Sequence, residues 1–551
     1  MSDPESSQTE TAASLAPQPT RSVSGSSFII WFLIIVVAAL AREVGLETTP
    51  PPFFRDEAEK GYNAWCLWKT GCDYEGHRLP LFINVFGAYT SAIYQYATAP
   101  LVGILGLKVL VVRLTAALAG VFTVMFLCWL ARELFDEPTA LVAAAILAIS
   151  PWHVHFSRWA QQGIFMPLLF TIAAWGTVRF RQGRRAGLPI AAAAIAIAAY
   201  AYDVGRVLAP LFLLLLALVA RRELREHKRW AAVAALVLAI LVAPTLWFVM
   251  RQPEEAMARF RRISIAQPGM LPAEVVGRFL VNYAKHFDPV YLAFRGDREP
   301  RHSMGKTGEI YPLELPFLLL GIYFLARRRN GAAAIVIGWI AIAPVASSMT
   351  NVGIPHALRS LAGVPAFALA IAVGLVEFMR RLPDKATRIS VAGLLCFGEL
   401  ALAGNASFHY FKVYPSDSAG AWQSGFRESL DVCRSFSSAE EAIWISESLG
   451  GLALLPEIIS PVEIFVAFYW PIPPAEFQKS RLGSTPVRIV RWGTDFNDLL
   501  TRPNRPPIYA IVRVGEITKE IAGQTDVRLF LEGESGSIYV YWFPASPPER
   551  R

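Results

Sequence analysis

Charge is scarce in this sequence: Asp, Glu, Lys and Arg make up 17% of its 551 residues, where a soluble chain carries about a quarter. Most of the chain must therefore face lipid or other helices, which excludes an ordinary water-soluble protein. Cysteine is scarcer still, and five residues are too few for a disulfide framework. A cleavable leader is not expected either. Residues 1–25 are rich in Ser, Thr, Pro and Gln and lack a basic n-region, so the stretch reads as a disordered cytoplasmic tail. Nucleotide fingerprints are missing as well. Gly305-Lys306-Thr307 imitates the end of a P-loop, but Pro300 stands where the first glycine belongs.

What is present is apolar. Hydrophobic residues make up 54% of the chain and mean hydropathy is +0.39. Runs long enough to cross a bilayer, or nearly so, cover 27–45, 110–131, 139–156, 163–179, 187–203, 205–220, 230–250, 313–326, 331–346, 358–379 and 388–405, about eleven spans. A twelfth stretch, 89–106, is short and broken by Pro100. The net charge of +8 sits in short runs between spans and points to membrane orientation, not to nucleic acid. With an inside start and 89–106 lying in the interface, Arg132, Arg179 to Arg185, Arg221 to Arg229, Arg327 to Arg329 and Arg380 to Arg388 all fall inside. The outer face then carries loops 46–109 and 251–312 and a tail, 406–551, whose short strand-like runs Glu463–Tyr469 and Arg488–Arg491 suit one small α/β domain.

The first outer loop opens, after Pro50-Pro51-Pro52, with Phe53-Phe54-Arg55-Asp56-Glu57-Ala58-Glu59. Two readings stand side by side. Asp56 and Glu59 have the spacing of a capping box. An Asp-Glu pair at a membrane surface also suits sugar transfer with inversion, which needs one carboxylate base beside the nucleophile. A phosphate leaving group needs no separate acid, only cations or dipoles to hold its growing charge.

Other residues carry the same ambiguity. Arg113 and Arg158 stand at outer span ends, where snorkelling competes with a site role. Tyr202-Asp203 and Arg206 occupy a short outer turn, where Asp203 and Arg206 either cap helices or bind a donor. His356 and Arg359 open a helix facing outward, a place suited to an anion. His153 and His155 alternate as in a strand, which favours an interfacial role over metal binding. Cys66 and Cys72 share the outer face, so a disulfide is open to them, although on a helix they occupy different faces. Asn405-Ala406-Ser407 matches a glycosylation sequon and abuts the membrane.

Several motifs form a series: Asp56-Glu57-Ala58, Gly61-Tyr62-Asn63-Ala64, Lys69-Thr70-Gly71, Leu79-Pro80-Leu81, Tyr94-Gln95-Tyr96, Gly106-Leu107 and Val112-Arg113-Leu114. It resumes at Ile149-Ser150-Pro151-Trp152-His153, Phe156-Ser157-Arg158, Gly296-Asp297, Arg301-His302-Ser303, Gly308 and Pro355-His356-Ala357-Leu358-Arg359. Spread over about residues 50–405, the series resembles bacterial GT-C glycosyltransferases, in particular the protein O-mannosyltransferase branch that includes the lipid A aminoarabinose transferase.

The resemblance implies a mainly α, polytopic GT-C fold over 26–405, with interfacial helices in the first outer loop and a small extracytoplasmic α/β domain over 406–551. It implies a polyprenyl-phosphate-linked sugar donor, a lipid, protein or polysaccharide acceptor, and a bacterial inner-membrane location with the active site outside. Asp56 is then at the reaction centre with Glu57 beside it, and Arg113, Arg158, Arg301, His302 and Arg359 are the expected holders of the carrier phosphate. Tyr62, Tyr94, Tyr202, Asp203 and His356 are the remaining substrate-binding candidates.

Two departures matter: Thr90 stands where many relatives carry a phosphate-binding lysine, and Gln162 where many carry an acid. The second makes a metal shared between two acids less expected, and a divalent cation is left open. The rival class is a transporter or flippase, which buries ionisable groups in mid-membrane. Here the spans are nearly free of charge away from their ends, with Glu399 the clearest exception.

Overall fold

The computed structural model describes residues 25–546 apart from 52, 437–440, 453–457, 492–493, 514, 525–527 and 533–537. The expected tail over 1–25 therefore lies, except for Gly25, outside the described residues.

Every predicted span is largely helical, in one helix or in adjoining ones. The chain enters through α1 (Gly25–Glu43) and leaves it for a long loop holding α2 (Arg55–Thr70), a hairpin of β1 (Phe82–Val85) and β2 (Ala88–Ser91), and α3 (Ile93–Leu105). The bundle continues with α4 (Val109–Leu134), α5 (Glu137–Ile149), a short α6 (Pro151–Phe156), α7 (Phe165–Arg181), α8 (Gly187–Ala201), α9 (Gly205–Val219), the turn α10 (Arg221–Glu226) and α11 (Lys228–Arg251). A second long loop carries α12 (Pro253–Ile263) and α13 (Pro272–Lys285). It is followed by α14 (Glu314–Arg328), α15 (Gly331–Ile342), the short α16 (Val345–Ser348) and α17 (Ala357–Ser360), then α18 (Val364–Arg380) and α19 (Lys385–Lys412).

Among the described residues, seven helices are long and apolar enough to cross a bilayer, counting α7, α15 and α18 with their adjoining turns. The other predicted spans are helices of 13 residues (α5) or 15 (α8, α9 and α14). At about 1.5 Å per residue these fall short of a ~30 Å hydrocarbon core. The chain is a multi-pass membrane protein.

Small residues let the helices approach closely. A Cβ on Gly321 of α14 would stand 1.8 Å from the Ala370 carbonyl of α18, and one on Gly374 would stand 1.9 Å from that of Phe317. Backbones that near give dense packing where lipid supplies no hydrophobic driving force between helices. At one end of the bundle the basic runs pair with acids across helix boundaries: Arg179 with Glu133 at 3.3 Å, Arg181 with Glu223 at 2.9 Å, Arg328 with Glu377 at 2.6 Å, and Arg380 with Asp136. The long loops gather at the opposite end.

Three expectations need correction. The span predicted over 139–156 breaks at residue 150, where the Ser150 hydroxyl caps a new helix with Pro151 in its first turn. His153 and His155 accordingly sit on the short α6 and not on a strand. The run Glu463–Tyr469 is helical, because Ser460 and Glu463 form a reciprocal capping box with Pro461 at the first position. These start signals override the β-branched and aromatic composition. Cys66 and Cys72 are both free thiols.

The C-terminal part continues from α19, which runs to Lys412, past the boundary expected at 405. It comprises α20 (Tyr414–Ser418), α21 (Phe426–Phe436), β3 (Ala442–Ser446), α22 (Pro461–Tyr469), α23 (Pro474–Ser480), β4 (Val487–Val490), β5 (Ile508–Arg513), β6 (Arg528–Glu532) and β7 (Ile538–Phe543). The sheet order is β4-β3-β5-β7-β6. β3 is parallel to β4 and β5, while β7 is antiparallel to β5 and β6. α22 packs on α2: the Phe53 and Phe468 rings are 4.7 Å apart, and a Cβ on Gly61 would meet Phe468 at 2.7 Å.

Candidate functional site

The first turn of α2 sets two adjacent carboxylates in opposite environments. Asp56 keeps 35% of its side chain exposed, whereas Glu57 keeps none. Glu57 accepts from Arg113 Nε and Nη2, both at 2.8 Å, and from the Ala160 N–H at 2.9 Å. Arg113 completes its set on the carbonyls of Leu46, Pro50 and Pro51. Arg158 likewise donates to the carbonyls of Ala41, Val44 and Thr49. These two arginines brace the backbone around the loop that delivers Asp56.

Three basic residues lie in the neighbourhood of the α2 start. Arg55 Nε is 3.7 Å from its carboxylate, and Lys60 Nζ donates to its carbonyl at 3.1 Å. The guanidinium carbons of Arg55 and Arg301 lie 4.8 and 4.3 Å from the centre of the Phe54 ring. Burial lowers the Arg55 pKa, Asp56 opposes that, and Arg301 adds to it. Arg55 is anchored by the Gly450 carbonyl at 2.9 Å, so the C-terminal part touches the start of α2 directly. Arg301 pairs with Glu299 at 2.8 Å, and its carbonyl lies 2.8 Å from His155 Nε2. Lys60 and Arg55 carried no role in the sequence reading, although Lys60 stands four residues after Asp56, the spacing of one helix face.

Glu59 is fully buried, and burial raises its pKa. It accepts from Asn63 at 2.8 Å and Gln95 at 2.9 Å, with Lys60 Nζ at 3.8 Å. Tyr62 donates to the Ile472 carbonyl and Tyr94 to that of Val112, both from buried positions.

A second constellation joins motifs from distant loops. Gly296 adopts φ +66°, and a Cβ there would lie 2.8 Å from the Thr307 carbonyl. The next residue, Asp297, receives the Ala357 N–H on Oδ2 at 2.8 Å and the Glu299 N–H on Oδ1 at 2.9 Å. The Nδ1 atoms of His302 and His356 lie 3.3 and 3.8 Å from the same Oδ2. Among the described residues this is the cluster whose donor atoms could hold a metal ion. Glu309 accepts the Asp297 N–H at 2.9 Å, and burial raises its pKa well above the usual carboxylate range.

The other candidates stand apart. Asp203 Oδ1 lies 3.7 Å from Arg206 Nη2, and Arg206 donates to the Ala256 carbonyl. Tyr202 is buried, with its ring beside Gly163. Arg359 donates to Thr350 Oγ1 and the Val352 carbonyl. A cavity of about 400 Å³ lies between Phe294, Lys306 and Thr307 on one side and Leu402, Asn405 and His409 of α19 on the other, and Asp56 does not line it.

A polytopic bundle with α2, a hairpin and α3 in its first long loop and a small C-terminal sheet has the architecture of the GT-C superfamily. It superposes on ArnT from Cupriavidus metallidurans in the apo state with a TM-score of 0.58 at 14% identity, covering 96% of this chain and 100% of that one. The same protein bound to undecaprenyl phosphate gives 0.57 at 15% identity, covering 96% and 99%. The family model described as dolichyl-phosphate-mannose-protein mannosyltransferase matches residues 92–248. A search of curated proteins finds no match. The chain thus shares the fold of ArnT over nearly its whole length, and the mannosyltransferase family model matches one part of it, residues 92–248.

Proposed function

We propose that the chain transfers a sugar, with inversion, from a polyprenyl-phosphate carrier to an acceptor hydroxyl or amine on the extracytoplasmic face of a bacterial inner membrane. The observation that carries this reading is Asp56, a partly exposed carboxylate at the start of a helix, with Arg55 Nε 3.7 Å away and Lys60 Nζ on its backbone carbonyl. Support for the carrier comes from ArnT, whose structure has been solved with undecaprenyl phosphate. Support for the orientation comes from the ion-paired basic belt at the opposite end of the bundle.

Asp56 takes the acceptor proton as the acceptor oxygen or nitrogen bonds to the anomeric carbon. The bond from that carbon to the carrier phosphate breaks, and the electron pair leaves with the phosphate. Arg301 and Arg55 hold the growing negative charge, with Lys60 behind Asp56. Fixed placement of base and donor supplies much of the acceleration. Glu57, Arg113 and Arg158 act on this site as positioning residues. The C-terminal sheet unit, joined to α2 through α22, selects the acceptor.

The test is envelope glycan and glycoprotein mass spectrometry in a strain deleted for this gene and complemented with variants. Asp56→Asn and Arg301→Ala are expected to reach normal membrane levels and leave the wild-type sugar modification missing or strongly reduced. Full complementation by Asp56→Asn removes the base assignment.

A further inference from the structure

Asp297, His302 and His356 have no part in the transfer step just described. We propose that they bind one divalent transition-metal cation of the Zn²⁺ class. Two imidazoles and a carboxylate form an N/O set that Zn²⁺ accepts and that Mg²⁺ and Ca²⁺, which seek oxygen, do not favour.

Spacing separates this cluster from an ordinary ion pair. The histidine nitrogens stand 3.3 and 3.8 Å from Asp297 Oδ2, and all three donor atoms lie within 4.8 Å of one another. Hydrogen-bonded N–H···O pairs close to about 2.7–3.2 Å. Donors about 2.0–2.1 Å from a shared tetrahedral cation stand ~3.3 Å apart. The His302 edge matches ligands around an ion, and the His356 edge, too long for a hydrogen bond, closes to that spacing with a shift of about 0.5 Å.

The surroundings point the same way. Asp297 and His356 are buried and His302 is nearly so. The carboxylate is already oriented by the N–H groups of Ala357 and Glu299, the supporting contacts that metal ligands characteristically have. The Arg359 N–H approaches His356 Nδ1 at 3.4 Å, beyond an ordinary hydrogen bond, and a bound cation would replace this long contact on the same lone pair. The imidazole rings are 4.5 Å apart, an arrangement that two neutral ligands tolerate better than two imidazolium ions.

Three protein ligands leave a fourth position for water or a phosphate oxygen. Because His302 follows Arg301, the cation ties the turn bearing that guanidinium to α17. The site stands independently of the transferase reading, since metal content reports it directly.

The full-length chain, purified in detergent, is stripped with chelator, re-equilibrated with Zn²⁺, desalted and assayed by inductively coupled plasma mass spectrometry. The expected result is about one Zn²⁺ per chain, at least a tenfold loss in His302→Gln and His356→Gln, and a Zn²⁺-dependent rise in Tm for the wild type alone. Asp56→Asn retains the metal. His356 also caps α17, so if His356→Gln fails to fold, His302→Gln decides alone. A wild-type chain that retains no stoichiometric metal, or a His302→Gln chain that retains it unchanged, overturns the proposal.

Discussion

At position 56 the carboxylate is partly open to water, with Arg55 beside it; at position 57 it is sealed against Arg113. The two predict different losses. Glu57→Gln leaves a buried guanidinium without its partner, a change that costs about 3–5 kcal/mol in comparable pairs, so its melting temperature and membrane abundance fall. Asp56→Asn is expected to melt like the wild type and lose transfer. Equal Tm for Glu57→Gln and wild type in scanning fluorimetry would refute the brace. Glu59 gives a pH signature. Burial raises its folded pKa above the ordinary ~4.3, so its contribution is full below that value and is lost as pH rises through the raised one. Wild-type Tm should therefore decline with increasing pH relative to Glu59→Gln, and parallel curves would contradict this. The Asp-Glu motif was legible in the sequence; the division of labour within it was not, because Arg113 lies in another helix and its burial is a property of the fold.

Elements follow local signals where those are strong. Apolar runs predicted the bundle helices, since in a bilayer every backbone polar group must find its partner within the segment. Composition misled at 461–469, where a capping box and an N-terminal proline set a helix on residues that favour strands. Removing that box with Ser460→Ala should cost about 0.5–2 kcal/mol and loosen α22 from α2, which limited proteolysis can follow. Unchanged cleavage would show that packing alone holds α22. The α14–α18 crossing is stricter. A valine at Gly321 cannot fit against the Ala370 carbonyl, so Gly321→Val is expected to abolish accumulation of folded protein in fluorescence-detected size-exclusion chromatography. A normal monodisperse peak would contradict so close a crossing.

On the scale of the whole molecule, positive runs at one end and ionisable residues at the other were readable from span parity. The convergence of Asp297 and His302 with His356 was not, because nothing in the sequence joins the second long loop to the start of α17. The same holds for the C-terminal part, which reaches Arg55 through the Gly450 carbonyl. Glycosyl transfer outside the cell requires that position 56 open to the extracytoplasmic side. The direct measurement is labelling of Asp56→Cys, in a chain whose five cysteines are replaced by serine, with a membrane-impermeant maleimide. An outward-facing site predicts reaction in intact spheroplasts and protection in inverted vesicles; labelling only in inverted vesicles would contradict it.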